Sequence, residues 1–213
     1  MSVFFKNGQI ATKNLNPQTK VYGEELIVED EEYRIWNPRR SKLAAAILNG
    51  LENIPINTIS KVLYLGASTG TTVSHISDIA HQGRIYAVEF SPTTAKKLIQ
   101  LAKQRQNIFP ILDDATKPKN YLNLVEKVDT IYCDVAQPTQ TQLFIKNMNL
   151  FGKNNTMGIL MIKSRSIDVV QKPKKIFKNQ QKILKEKGFK IIEKIKLEPY
   201  EKDHMAFVVM KNF

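Results

Sequence analysis

From Lys61 onward the chain alternates between short apolar runs of strand type and longer segments of helical spacing. "KVLYLG" precedes "TTVSHISDIA", "RIYAVEF" precedes "SPTTAKKLIQLAKQ", and "IFPIL" precedes a short helix expected near "KNYLNLV". "VDTIYCDV" precedes "PTQTQLFIKNMNLF", and "TMGILMIKS" precedes "KPKKIFKNQQKILKEKG". Ser91 is placed to cap the second helix, with Pro92 at its first position. Such alternation specifies a mostly parallel, doubly wound sheet with helices on both faces, because parallel neighbours need a crossover between them. The finish breaks the pattern. "FKIIEKIKLEPY" and "HMAFVVMKN" are consecutive strands, so the last is expected to return antiparallel as a C-terminal hairpin.

Residues 1–37 read differently. "VFF", "QIATKNL", "KVYGEELIVED" and "EEYRIW" are β-type segments separated by turns such as Asn7-Gly8, which predicts a small N-terminal β-sheet as a domain of its own. Residues 38–213 then form the main domain, a division that suits a chain of 213 residues. It opens with "RRSKLAAAILNGL", whose Leu43, Ala46, Ile47 and Leu51 have helical spacing, with Gly50 near the end. No apolar run reaches the roughly 18–20 residues a membrane helix needs. The opening "MSVFFKNGQ" lacks the features of an export signal, so a cytoplasmic protein with no membrane contact is expected. The single cysteine, Cys133, excludes an intrachain disulfide and a multi-cysteine zinc site. It reads as a buried, inert thiol, and no metal site is expected.

Charge is the informative bulk property. The chain carries 32 Lys+Arg against 20 Asp+Glu, a net +12, and residues 151–213 hold fifteen basic and six acidic side chains, three quarters of the excess. A field of this sign attracts polyanions and suits nucleic acid, although a basic helix face also serves solubility.

Ligands of doubly wound sheets bind beyond the carboxyl ends of the strands. The residues there are Gly66, Glu89, Asp113-Asp114, Asp134 and Lys163. The loop Gly66-Ala67-Ser68-Thr69-Gly70 has neither the Lys-Ser/Thr pair of a phosphate-binding P-loop nor the G-x-G-x-x-G of a dinucleotide fold. Its ligand is therefore less anionic than a nucleotide. Glu89 closes the second strand 19 residues after Gly70, where a carboxylate accepts hydrogen bonds from ribose hydroxyls. Asp114 is placed for an adenine amine, while Thr71 and Thr72 open the next helix as donors. Loop and acids together fit S-adenosyl-L-methionine, and the architecture is that of the Rossmann-like methyltransferases.

"EYRIWNPRRSKLAAAIL", "YLGASTGTTVSH", "IYCDVAQP" and "IKSRSID" resemble the fibrillarin family, in particular its shorter archaeal fibrillarin-like members, along essentially the whole chain. The resemblance implies an rRNA/tRNA 2′-O-methyltransferase using S-adenosyl-L-methionine within a box C/D ribonucleoprotein. Its implied partners are the guide RNA with its target rRNA or tRNA, a scaffold protein of the Nop family and a kink-turn-binding protein of ribosomal type. Implied cofactor residues, with those read from the loop itself, are Gly66, Ala67, Thr71, Thr72, Glu89, Phe90, Asp114, Ala115 and the stretch from Asp134 to Gln137. The Gly- and Arg-rich extension of eukaryotic fibrillarins is missing, which favours a prokaryotic-type cytoplasm.

The family's similarity to other ribose methyltransferases implies a catalytic set of Lys42, Asp134, Lys163 and His204. Methyl transfer to a ribose hydroxyl needs in-line positioning and removal of a tightly held proton. Two ammonium groups converging on one pocket disfavour each other's charged form, so one is expected to accept a proton while Asp134 orients the other. On its own, Lys42 would read as solvated surface. His204 would read as a hairpin cap whose role Glu201 or Asp203 could fill. His75 and His81 read as helix-surface residues. A noncatalytic RNA-assembly subunit and a small-molecule methyltransferase are the alternatives; intact Lys42, Asp134 and Lys163 argue against the first and the +12 charge against the second.

Overall fold

The computed structural model describes residues 3–211. Met1 and Ser2 of the opening segment, and Asn212 of the expected last strand, lie outside the described residues. The described residues form two sheets. The small one is antiparallel, in the order β1-β2-β4-β3, built from β1 (Phe4–Lys6), β2 (Gln9–Lys13), β3 (Leu26–Val28) and β4 (Glu32–Ile35). Asn7 and Gly8 both take positive φ, 49° and 73°, the requirement of a tight two-residue hairpin turn.

After α1 (Lys42–Leu48) come β5 (Lys61–Leu65), α2 (Thr71–Ile79), β6 (Arg84–Glu89), α3 (Pro92–Gln104), β7 (Ile108–Leu112), β8 (Val128–Cys133), α4 (Gln140–Phe151) and β9 (Gly152–Lys163). The chain finishes with α5 (Ser164–Ile167), α6 (Pro173–Glu186), β10 (Phe189–Lys196) and β11 (His204–Lys211). The large sheet has seven strands in the order β10-β11-β9-β8-β5-β6-β7. Its strands from β5 to β9 pair parallel, and β11 pairs antiparallel with both β9 and β10. Ser91 caps α3 and Pro92 opens it, as the sequence predicts. In place of the short helix expected near "KNYLNLV" there is a single 3-10 turn, Pro118–Tyr121.

Each central strand is buried on both faces. Val62 and Tyr64 point into one apolar layer with α1, α2 and Trp36; Leu63 and Leu65 point into the other with Phe144, Phe151 and Phe207. The core runs on into the small sheet, because Ile10 and Trp36 belong to the first layer.

This arrangement corrects the reading of His75. Helix α2 lies between the large sheet and the small one, so Thr72 through Ile79 are all buried and the helix has no solvent face. His75 is fully buried. Its Nδ1 is 2.8 Å from Thr12 Oγ1, its Nε2 is 2.7 Å from Tyr22 OH, and its ring stacks on Trp36 at 4.7 Å. His81, past the helix end, is exposed.

One turn further along α2, Asp78 joins the sheets. One carboxylate oxygen receives Arg34 Nη1 at 2.8 Å and Thr12 Oγ1 at 2.7 Å; the other receives Arg105 Nη1 at 2.6 Å and the Leu15 N–H at 3.0 Å. Arg34 Nε also donates to Glu24 at 2.6 Å. Arg34, Arg105 and Asp78 are 0–1% exposed, so removing one partner strands buried charge.

Asp78→Ala leaves two buried guanidinium groups without their shared carboxylate and is expected to cost about 3–5 kcal/mol, read as a lowered urea midpoint. A second stability prediction concerns pH. Burial, with Arg34 and Arg105 nearby, holds the His75 pKa well below its ordinary 6.5. The folded state therefore binds fewer protons than the unfolded one, and the stability is complete above about pH 6.5 and declines as pH falls below it. A thermal midpoint followed from neutral to acidic pH should fall less in His75→Gln, even though that variant starts lower. Equal slopes would assign the acid sensitivity to other groups.

Candidate active site

The strand order reverses at β5, which has β6 on one side and β8 on the other. The chain leaving β5 is held from both sides. The N–H groups of Gly66 and Ala67 donate to Val88 O, each at 3.0 Å, and the Asp134 N–H donates to Leu65 O at 2.9 Å. Gly66 has φ of 83°, and a Cβ there would run into the carbonyl oxygen of Asp134. Only glycine combines that φ with so close a backbone approach. Gly70, also left-handed at 93°, lets the loop pack onto Leu101 of α3.

The loop then turns over Glu89. The Ser68 N–H, at a residue with φ of 51°, donates to Glu89 Oε2 at 2.7 Å, while Oε1 receives the Ser91 N–H at 2.8 Å and Thr94 Oγ1 at 2.9 Å. These three donors aim the carboxylate and leave one lone pair, on Oε2, for a ligand. At the next strand end, the Thr116 N–H donates to Asp114 at 2.9 Å and holds that carboxyl below the usual carboxylate range.

A cleft of about 220 Å³ opens here, lined by Gly66, Glu89, Phe90, Asp114, Ala115, Asp134 and Gln137, all expected from the sequence. Val135 and Ala136, within the expected stretch from Asp134 to Gln137, line it too, and Ser68, Val88 and Asp113 complete it. The sequence does not single out Ser68 as a participant; its signal is the positive φ, which sequence does not show. Three predicted cofactor residues lie elsewhere. Ala67 is buried under the loop. Thr72 is buried and donates its hydroxyl to Ser41 Oγ at 3.0 Å. Thr71 lines a separate cleft with Lys20, Arg40 and Lys97.

The bond from Thr72 to Ser41 has a positional effect. Ser41 caps α1, so the start of α1 is held against the start of α2 and the next residue, Lys42, reaches across the strand ends. Its Nζ is 3.0 Å from each carboxylate oxygen of Asp134. Both side chains keep about a fifth of their surface open, 23% and 20%. Asp134 itself follows the stacked, buried pair Tyr64 and Tyr132, whose hydroxyls burial pushes well above their ordinary pKa. Burial likewise raises the Cys133 thiol, leaving it protonated and inert.

Lys163 closes β9 with its side chain exposed. Its backbone is held by a residue that the sequence did not single out: buried Gln140 accepts the Lys163 N–H at 3.0 Å and donates to Lys163 O at 3.3 Å and to Gln137 O at 2.8 Å. Across the antiparallel register Lys163 faces His204. His204 Nδ1 lies 2.7 Å from Lys202 O, which makes Nδ1 the protonated nitrogen and Nε2 an acceptor in the neutral ring. Burial first, then the Lys42 charge, lower its pKa, while the Lys202 carbonyl, Glu201 and Asp134 act the other way. Lys42, Asp134 and His204 are thus within electrostatic reach of one another, and Lys163 adjoins them through the register.

Four carboxylates, Glu89, Asp113, Asp114 and Asp134, line the cleft, and no lysine or arginine does. Such a lining repels phosphate and favours a cationic or neutral nucleoside ligand. Among the described residues no cluster of His, Cys, Asp or Glu is arranged to hold a metal ion, and no helix is long and apolar enough to cross a membrane.

Known proteins resemble this chain along nearly its whole length. A family model described as fibrillarin matches residues 2–213. A fibrillarin-like rRNA/tRNA 2′-O-methyltransferase of Methanothermobacter thermautotrophicus is 54% identical over 211 residues, covering 99% of this chain and 94% of that protein. The structure of Aeropyrum pernix fibrillarin in complex with natively bound S-adenosyl-L-methionine is similar with a TM-score of 0.88 and 42% identity, over 98% of both chains. A fibrillarin/Nop5p complex is similar with a TM-score of 0.91 and 41% identity, over 100% of this chain and 98% of that one. With a match spanning nearly its whole length, the chain belongs to the fibrillarin family.

Proposed function

We propose that the chain is an S-adenosyl-L-methionine-dependent RNA methyltransferase that modifies ribose 2′-hydroxyls of rRNA, and also tRNA, as the catalytic subunit of a guide-RNA-directed box C/D particle. The observation that carries this reading is an acid-lined cleft with the Lys42–Asp134 pair at its border and the Lys163–His204 register pair tied to its lining through Gln140, which bonds both Lys163 and Gln137. The close relative's name gives the reaction class, and the neighbour holding S-adenosyl-L-methionine supports the cofactor. The Nop5p complex of another neighbour supports a Nop-family scaffold as partner. A kink-turn-binding protein is part of the same reading, on family grounds. The archaeal source of the curated relative favours a cytoplasmic particle.

The cofactor supplies an electrophilic methyl group on a sulfonium centre. Glu89 would accept one of its ribose hydroxyls at Oε2, with the exposed ring of Phe90 at the rim and Asp114 near its base. Thr71 and Thr72 would contribute through the opening of α2, although Thr71 lines a separate cleft and Thr72 donates its hydroxyl to Ser41. Asp134 stands between the two tasks. It borders the cleft and holds Lys42, fixing an ammonium where the incoming hydroxyl would be oriented. Lys163 has no ion pair among the described residues, and His204 Nε2 is an acceptor. The His204 Nε2 lone pair is the site left to receive the hydroxyl proton, and Lys163, its register partner, is left to orient the hydroxyl oxygen. Removing that proton while the oxygen is held in line is the work the site must do.

Two measurements test the assignment. Glu89→Gln should weaken S-adenosyl-L-methionine binding by about 1.5–3 kcal/mol, the contribution of a hydrogen bond to a charged group, measured by calorimetry. Unchanged affinity in the folded variant removes the ribose assignment. Lys42→Ala and Lys163→Ala should keep cofactor affinity but slow single-turnover methylation in the assembled guide particle by at least about 100-fold, whereas Asp134→Ala should impair both. Near-normal turnover in both lysine variants would leave positioning as the source of catalysis.

A further inference from the structure

A larger cleft, about 520 Å³, runs between α6 and the β10–β11 hairpin. Lys174 and Lys178 line it from α6, four residues apart and so on one helix face. Lys194 and Lys196 line it from β10, two residues apart and so on one strand face. The register pairs these two lysines with Phe207 and Met205 of β11, and Phe177 adds to the apolar floor. The charge here is poorly compensated. Among the described residues Lys174, Lys178 and Lys196 make no salt bridge, and Lys194 donates to the neutral amide of Gln181 at 3.1 Å. Of the two acids in the lining, Asp203 is engaged by Arg165 at 2.9 Å, which leaves Glu198. Cations held beside one another without counter-charge, over an apolar floor, match a strand of phosphates joined by sugars.

The position of the groove decides between polyanions. Its head is formed by Asp203 and His204, and His204 is the register partner of Lys163. An RNA whose ribose reaches Lys163 would cross the strand-end edge at His204, the edge from which the groove runs along the other face of the sheet. An acidic protein segment has no corresponding reason to end there. We propose that this groove is an RNA-contact site that holds the phosphate backbone flanking the methylated nucleotide, with Lys174, Lys178, Lys194 and Lys196 as its phosphate-binding groups. The proposal rests on RNA being the substrate, as inferred above, and adds where that RNA is gripped.

The test uses the full chain and a defined target RNA annealed to its guide strand, with affinity followed between about 50 and 200 mM salt. Lys174→Gln/Lys178→Gln should weaken RNA binding about tenfold and reduce the salt slope by about two, one for each phosphate no longer neutralised. Lys182→Gln/Lys185→Gln removes the same charge from the same helix outside the groove and should change both far less. Calorimetric affinity for S-adenosyl-L-methionine should be unchanged in both. In the assembled guide particle the groove variant should need more target RNA for half-maximal methylation while its saturated rate stays within about twofold. Equal losses in the two variants would reduce the groove to general electrostatic attraction and overturn the proposal, as would no loss in either. Weakened association with the scaffold protein at intact RNA affinity would overturn it in favour of a protein-binding surface. Failure of the unsubstituted chain to methylate ribose would instead refute the function proposed above, and the RNA-binding comparison would still be read independently.

Discussion

Reversal of the winding direction at β5 forces the departing backbone across a crevice with a parallel strand on each side, and only a residue without a side chain can make that crossing here. Gly66 makes it, pressed against the Asp134 carbonyl and hydrogen-bonded to Val88. The rest of the site is built on this crossing. Because the loop is pinned to β6, the Ser68 N–H meets Glu89; because it is pinned to β8, Asp134 stands at the same mouth as Gly66. The crevice is therefore lined by carboxylates from three strand ends, each contributed by a different crossover unit.

Charge is sorted by location. The cleft carries acids only, its border carries the Lys42–Asp134 pair, and the lysine-lined groove begins on the far side of His204. A cationic cofactor and a polyanionic substrate would otherwise compete for the same field. Placing Asp134 at the boundary lets one carboxylate serve both sides. Surface pairs such as Lys182–Glu186, 3.7 Å apart and largely solvated, add little by comparison, about 0–1 kcal/mol. Their lysines matter for the long-range field more than for stability.

The small sheet does more than extend the fold. It covers α2, the helix that begins at the ligand loop, and Asp78, Arg34 and Arg105 tie the helix to it with buried charge. His75 and Trp36 fill the space between. A helix packed on both sides cannot shift without opening one of these contacts, so the loop ahead of it is held in place. Thr72 passes the constraint to Ser41 and hence to Lys42. Stability of the small sheet and placement of a candidate catalytic lysine are thereby coupled through neighbouring turns of one helix.

Elements whose signal is local are legible in the chain before it folds. The short apolar runs and the period-3.6 segments from Lys61 onward place the strands and helices, the missing helix between the last two strands marks the antiparallel return, and the strand-end residues Gly66, Glu89, Asp114 and Asp134 follow from that order. The long motifs identified the family because they are read residue by residue. The remainder of the site depends on residues far apart in the chain. Lys42 and Asp134 are 92 residues apart, and nothing in an amphipathic helix tells a solvated lysine from one that spans a crevice. His75 is buried because a separate sheet covers its helix, Thr72 turns away from the cleft because Ser41 accepts its hydroxyl, and Gln140 grips Lys163 from another element. Periodicity records which face of a segment is apolar. It carries no information about which other segment arrives to cover that face, and here that arrival places the charges.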